Sequence, residues 1–322
     1  VEEQKQSVSV VIPTRNRPRM VVDAVRSALA EPVVEVSVIV DGPEDGVGES
    51  TSAALSVIDD PRLRVMVLEQ SVGGSEARNL GARSSIGDWI GFLDDDDLWL
   101  PGKVAAQLVL AAAANARFPV LSSAVLARGP SGDRMWPRRL YRWPEPMSEY
   151  LFCRAGWTYG AGLLQTSTLL IPRELILRVP FTRGLKKHQD WDWLLRTAAE
   201  PDVKIAMAPQ PLVIFHVEGE RASVGRAADW EFSYRWVCEN RAYFSPRAFA
   251  SFVATECAPQ AARSGASAKD RWQLFRSLFT GGAPGPKTLL LCAGFLLVPQ
   301  QARRNVRDML RSARGRLKPA KP

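Results

Sequence analysis

A doubly wound, mainly parallel α/β sheet followed by a helical C-terminal region is the fold this 322-residue sequence predicts. Short apolar runs alternate with helix-period segments over the first 130 residues, the pattern of strand–helix–strand units with right-handed crossovers. Several of those runs end in polar or acidic residues, at the sheet edge where open α/β folds bind ligands. Beyond about Arg226 the periodicity is helical. The expected division is an α/β domain over residues 1–225 and a helical region over 226–322, facing an acceptor or a membrane.

Residues 8–13 read as a buried strand, and a helix opens at Pro18 and runs to about Ala30. Residues 36–40 form a second strand that closes on the turn Asp41-Gly42-Pro43. A weak helix over 50–58 and a strand over 63–68 follow. Ser75 is expected to cap a helix that reaches about Ser85 and stops at Gly87. Residues 89–93 are the fourth strand, 103–116 an Ala-rich helix, and 118–127 a further strand. Residues 128–146, rich in Pro, Gly, Trp and Arg, read as a long functional insert. A strand over 166–171, a helix from about His188, and strands over 203–207 and 212–216 complete the domain. The helical region is broken near Ser245-Pro246, Ser264-Gly265 and residues 281–286.

The chemistry gathers at Asp94-Asp95-Asp96-Asp97, directly after the apolar strand Trp89-Ile90-Gly91-Phe92-Leu93. Two unit charges about 4 Å apart at an effective dielectric near 20 repel by roughly 4 kcal/mol. Several carboxylates at one strand end therefore need a cation or basic neighbours, and the run reads as a divalent-metal site. The first strand delivers Pro13-Thr14-Arg15-Asn16 to the same edge and the second delivers Asp41, while Arg78 and Asn79 lie in the helix after the third. A nucleotide needs these groups: a carboxylate for a base N–H, an arginine for base or phosphate, and metal-bound acids for a diphosphate.

Hydrophobic content of 46% and charged content of 24% are ordinary for a globular protein, and the net charge of +8 favours anionic partners. Cys153, Cys238, Cys257 and Cys292 lack zinc-site spacing, and scattered thiols point to a reducing, cytoplasmic compartment. No signal peptide is read at the start. The longest apolar stretch, residues 289–298, covers about 15 Å of a ~30 Å hydrocarbon core and does not span it. Followed by a basic helical stretch over 300–318, it reads either as a peripheral contact with an anionic leaflet or as a core helix with a solvated basic end. Nucleic acid is not the expected partner, because the tail lacks interleaved aromatic residues.

Five motifs occur in order: Val10-Val11-Ile12-Pro13-Thr14-Arg15-Asn16, Val38-Ile39-Val40-Asp41-Gly42, Ala77-Arg78-Asn79-Leu80-Gly81-Ala82, the strand and acids of Gly87 to Asp97, and His188-Gln189-Asp190-Trp191-Asp192-Trp193. This ordered set resembles the inverting family 2 glycosyltransferases with the GT-A fold. The resemblance implies that Pro13, Arg15 and Asp41, with Thr14 among them, hold the nucleobase end of a nucleotide-sugar, and that Arg78 contacts the nucleotide. It implies an Asp-x-Asp motif in which Asp96 is the chief ligand of Mn²⁺ or Mg²⁺, with Asp94 and Asp95 near ribose and metal. Asp190 matches the catalytic base, and His216 a late metal or phosphate contact beside Arg221 and Ser223. Gln189 departs from the family's Glu, and Asp41 is the survivor of two acids before the Gly; the first change bears on acceptor contacts. UDP-sugars are the default donor, with dTDP- and GDP-sugars open. The acceptor is a hydroxyl on a glycan, a lipid-linked saccharide or a small molecule. Trp136, Trp143, Trp157 and Tyr159 are candidates to stack on a sugar. The alternatives are a sugar nucleotidyltransferase, whose Gly-rich phosphate loop is missing after residue 13, and a non-catalytic nucleotide-sugar-binding partner, against which Asp96 and Asp190 argue.

Overall fold

The computed structural model describes residues 6–42, 47–130, 132–154, 162–217 and 229–298. The chain divides into two compact units, Val1–Gly225 and Arg226–Pro322. Trp157, Tyr159, Arg221, Ser223 and the basic residues beyond 298 lie outside the described residues.

In the first unit, β1 (Val8–Thr14), β2 (Glu35–Val40), β3 (Leu63–Val67) and β4 (Trp89–Phe92) pair in parallel in the order β3-β2-β1-β4. Helices α1 (Pro18–Leu29), α2 (Val47–Leu55) and α3 (Gly74–Ser84) connect them. Pro18 opens α1 where a missing N–H costs nothing, and Val21, Ala24, Val25 and Ala28 recur at helical spacing to bury one face. On α3, a Cβ at Gly81 would lie 2.3 Å from Val11 on β1, so only glycine lets the helix sit this close to the sheet. The α3 N-cap is Gly73 rather than the expected Ser75, and no side chain caps that end.

The sheet then becomes mixed. After β5 (Leu98–Trp99) and α4 (Lys103–Ala114) come β6 (Phe118–Arg128), β7 (Arg134–Trp136), α5 (Met147–Phe152), β8 (Leu170–Pro172), α6 (Arg173–Arg178), α7 (Gln189–Ala198) and β9 (Val203–His216). Strand β8 lies antiparallel between β4 and β6, β9 runs parallel to β6, and β5 closes the edge antiparallel to β9. Two expectations change. The strand expected over 166–171 opens as a 3-10 turn at Thr166–Thr168 before β8 begins. The strands expected over 203–207 and 212–216 are one strand, because the register with β6 slips around Pro209-Gln210-Pro211, where prolines withhold ladder donors and a bulge absorbs them. The 128–146 insert contributes β7 to the sheet, with Trp136 packed against Phe215 at 6.5 Å; Trp143 is exposed.

The second unit contains α8 (Trp230–Glu239), α9 (Pro246–Phe252), α10 (Ala258–Arg263), α11 (Ala268–Thr280) and α12 (Pro286–Leu297). Its breaks follow the expected residues: Ser245 caps α9 ahead of Pro246, Ser267 and Asp270 form a capping box on α11, and Pro286 opens α12. Trp236, Phe244 and Phe252 cluster at its centre, with centroids 5.4 to 5.9 Å apart. The four cysteines are free. Among the described residues no helix is long and apolar enough to cross a membrane.

Candidate functional site

The C-terminal ends of β1, β2 and β4, the N-terminus of α3 and the approach to α7 enclose a cleft of about 720 Å³. It brings together Pro13, Thr14, Arg15, Asp41, Arg78, Asp94, Asp95 and Asp96 from four separate segments, and adds Arg17, Lys186 and Gln189. His216 and Asp190 do not line it.

The acid run is a turn, closed by the Asp97 N–H donating to the Asp94 carbonyl at 3.1 Å. Basic neighbours hold its carboxylates. Arg17 Nη1 donates to Asp95 Oδ1 at 2.8 Å and to Asp96 Oδ2 at 2.7 Å. Arg78 Nη2 donates to Asp94 Oδ1 at 2.6 Å. The Thr14 hydroxyl donates to Asp95 Oδ2 at 2.7 Å, so this expected nucleotide residue also braces the acids. Burial raises Asp96 above the usual carboxylate range and lifts Asp95 to about 6, against the opposing pull of Thr14 and Arg17. Asp97, pushed well up by burial, turns inward, accepting from Ser167 Oγ at 2.5 Å, Gln165 Nε2 at 3.2 Å and the His216 N–H at 3.3 Å.

His216 sits against the acid turn, outside the lining of the cleft. Its Nδ1 lies 2.6 Å from the Asp96 carbonyl, which only accepts, so Nδ1 carries the proton and the ring buttresses the back of the turn. Among the described residues no group of three His, Cys, Asp or Glu side chains is arranged to hold a metal. Asp94 and Asp96 still suit Mg²⁺ or Mn²⁺: their side chains are 26% and 29% exposed, and such ions take one or two carboxylates and complete their shell from substrate phosphates.

Asp41 is 4% exposed and accepts from the Val72 N–H at 2.6 Å, the Gly73 N–H at 3.0 Å and Ser71 Oγ at 3.2 Å. It thus fixes the loop entering α3 as well as lining the cleft. Gly42, at φ 92°, makes that approach feasible, since a Cβ would meet Ser71 at 3.2 Å. Asn79 is structural, exchanging bonds of 2.9 Å with the backbone of Phe181 in both directions. Arg78 is 8% exposed, lies 5.6 Å over the Phe181 ring, donates to Gln189 Oε1 at 3.1 Å, and leaves its buried Nε without a partner. The hydroxyl of Ser75 is likewise buried and unpartnered at the uncapped α3 N-terminus.

Asp190 follows Gln189 into α7 and accepts from the Thr166 hydroxyl. Asp190 stands in the first turn of α7, where the helix dipole on its own favours the charged form. Instead burial dominates and raises it above the ordinary carboxylate value, against the pull of Arg78. A carboxylate raised in this way is a stronger base. His188 stacks on Trp191 at 4.7 Å and is held neutral, its pKa lowered to about 3 by burial and then by Lys187. Sequence reasoning missed Arg17 and the inward role of Asp97. The need for basic neighbours was its one signal for Arg17.

Strand-end acids, converging arginines and a cleft at the edge of a half-parallel sheet define an α/β enzyme with a site for an anionic ligand. The profile of Glycosyl transferase family 2 matches residues 9–176. The chain belongs to glycosyl transferase family 2 and is a glycosyltransferase. Among curated relatives, the amylovoran biosynthesis glycosyltransferase AmsB of Erwinia amylovora is 26% identical over 237 residues, covering 72% of this chain and 76% of AmsB. The succinoglycan biosynthesis protein ExoO of Rhizobium meliloti (strain 1021) is 35% identical over 113 residues, covering 35% of this chain and 32% of ExoO. Among solved structures, S. aureus TarS 1–349 in complex with UDP-GlcNAc superposes with a TM-score of 0.50 at 15% identity, over 92% of this chain and 77% of that one, a likeness of GT-A fold. The family match ends before Asp190 and His216, so their roles rest on the geometry of this chain.

Proposed function

We propose that this chain transfers a sugar, with inversion, from a nucleoside-diphosphate donor to an acceptor hydroxyl during polysaccharide assembly, with a UDP-sugar as the default donor. The acceptor is a glycan, a lipid-linked saccharide or a small molecule. The observation that carries the reading is Arg78, which joins Asp94 in the cleft to Gln189 and draws on the charge of Asp190 beside it. One guanidinium thereby links the donor acids to the base. TarS solved with UDP-GlcNAc and relatives named for amylovoran and succinoglycan biosynthesis support donor and pathway class.

Pro13, Thr14, Arg15 and Asp41 hold the nucleoside end, and Asp95, braced by Arg17, shapes the ribose side. Asp190 accepts the acceptor's hydroxyl proton as that oxygen attacks the anomeric carbon, and the bond to the diphosphate breaks in the same displacement. Asp96 and Asp94 would hold Mg²⁺ or Mn²⁺, which when bound neutralises charge on the departing diphosphate. Burial raises Asp190 towards the range useful in a base. Four free cysteines support a cytoplasmic setting.

The test is calorimetric titration with UDP-, dTDP- and GDP-sugars, with Mn²⁺ or Mg²⁺ and with chelator, on wild type and Asp96→Ala. One donor is expected to bind wild type only with metal and to lose that binding in the variant, with the fold kept. Full donor affinity in Asp96→Ala refutes the metal assignment, and folded wild type that binds no donor refutes the donor reading.

A further inference from the structure

Helix α12 has the sequence PKTLLLCAGFLL, yet only Cys292 and Leu296 of its 12 residues are buried. A helix this apolar belongs in a core or in lipid. Leu290 is 62% exposed and Leu297 79%, seven residues apart on one face. Helix α11 offers a matching stripe at the same spacing: Trp272 is 65% exposed and Phe279 54%, with Phe275 between them. Trp272 stacks on Phe275 at 5.9 Å and Phe275 meets Phe279 edge-on at 5.7 Å, so three rings run without a gap. Between the helices lies a groove of about 630 Å³, walled by Trp272, Phe275, Ala293, Leu296 and Leu297. Arg271 fixes one end by donating Nη1 to the Leu296 carbonyl and Nε to the Ala266 carbonyl, each at 3.0 Å. The last turn of α12 thus has a carbonyl satisfied without water.

We propose that this face of the second unit is a membrane-surface anchor that seats on a bilayer containing anionic lipid. Charge selects the occupant. Residues 299–322 follow directly from the exposed end of α12 and carry eight Arg and Lys against the single acid Asp308, which is seven of the chain's net +8. A second copy would carry the same positive excess, which offers no charge complement to the first. An anionic leaflet meets both halves of the surface, taking Trp272, Leu290 and Leu297 among its acyl chains and the bases at its headgroups. A helix of 12 residues is about 18 Å long, well short of a ~30 Å hydrocarbon core, so α12 lies in the interface plane.

The experiment is co-sedimentation of the full chain with vesicles of phosphatidylcholine alone or with phosphatidylglycerol added. It compares wild type with Leu290→Glu/Leu297→Glu and with Arg303→Gln/Arg304→Gln/Arg307→Gln, each first shown to melt like wild type. Wild type is expected to pellet with the anionic vesicles. Each variant, and wild type with phosphatidylcholine alone, should partition at least about tenfold more weakly. Three outcomes overturn the proposal: no pelleting of wild type with either vesicle, pelleting that the Leu→Glu pair leaves unchanged, or a concentration-dependent dimer that this pair abolishes while vesicles bind nothing.

Discussion

Asp94 and Asp96 open towards the cleft with 26% and 29% of their side chains exposed, whereas Asp95, at 7%, shows the cleft only an edge and Asp97 is buried outside its lining. The outward pair meets the guanidinium groups of Arg78 and Arg17 at the cleft wall. The inward pair is spent on the protein: Asp95 on Thr14 and Arg17, Asp97 on Ser167, Gln165 and the backbone of His216. Four identical residues thus divide into a receiving surface and its foundation, and the tightness of the turn makes the division. A run of acids in a sequence therefore states a charge, and only its geometry states which members are free to use it.

Four substitutions test the contrast. Asp190 is the acid that would unite both roles, enclosed yet chemically active. Asp190→Asn is expected to slow sugar transfer by roughly 10²–10⁴-fold with donor affinity unchanged, as read by steady-state turnover beside calorimetry. Wild-type turnover would reduce it to a partner of Thr166. Next comes the foundation itself. Asp97→Ala strips three donors of their acceptor and should lower unfolding free energy by about 2–4 kcal/mol in urea melts, whereas Asp96→Ala should change it by less than about 1 kcal/mol. Equal losses would erase the distinction. The smallest effect is a pH slope. Asp95 is lifted to about 6 from an ordinary 3.8, so the folded state binds more protons than the unfolded chain between those values. Its ionisation therefore weakens the fold progressively as pH rises from about 4 to about 6, by at most about 3 kcal/mol, and adds nothing further above that. Asp95→Asn should flatten that part of the stability profile relative to wild type; an unchanged slope would show that Asp95 ionises normally.

The parallel half of the sheet was legible because strands buried on both faces read as near-continuous apolar runs, as 8–13, 36–40 and 89–93 do, interrupted only by the small residues Ser9, Ser37 and Gly91. The mixed half was not. Strand β5 has two residues and β8 three, too few to show a period, and β5 pairs across more than a hundred residues, Leu98 with Ile214. Helices α5 and α6, six residues each, fall below the length at which helical spacing declares itself. Within the site, strand ends predicted which side chains share the cleft, Arg15, Asp41, Arg78 and Asp94 to Asp96 among them. Partner choice was hidden, since nothing along the chain says that Arg17 closes on Asp95 and Asp96, or that His216 turns to a carbonyl instead of the cleft. Desolvation was hidden too, and at Asp190 it outweighs the pull of Arg78 and the N-terminal turn of α7.

Ser167 carries a consequence for engineering. Its hydroxyl accepts from the Asp94 N–H at 3.1 Å and donates to Asp97, and its carbonyl accepts from Trp99 Nε1 at 3.0 Å. The indole lies flush over the sheet because Gly91 has no Cβ, which would stand 2.5 Å from the ring. One serine some seventy positions away thus pins both ends of the acid turn and Trp99, two residues beyond it. Grafting the four aspartates onto another strand end would transplant their charge without their shape; a portable version of the motif needs Gly91, Trp99 and the Ser167 turn moved with it.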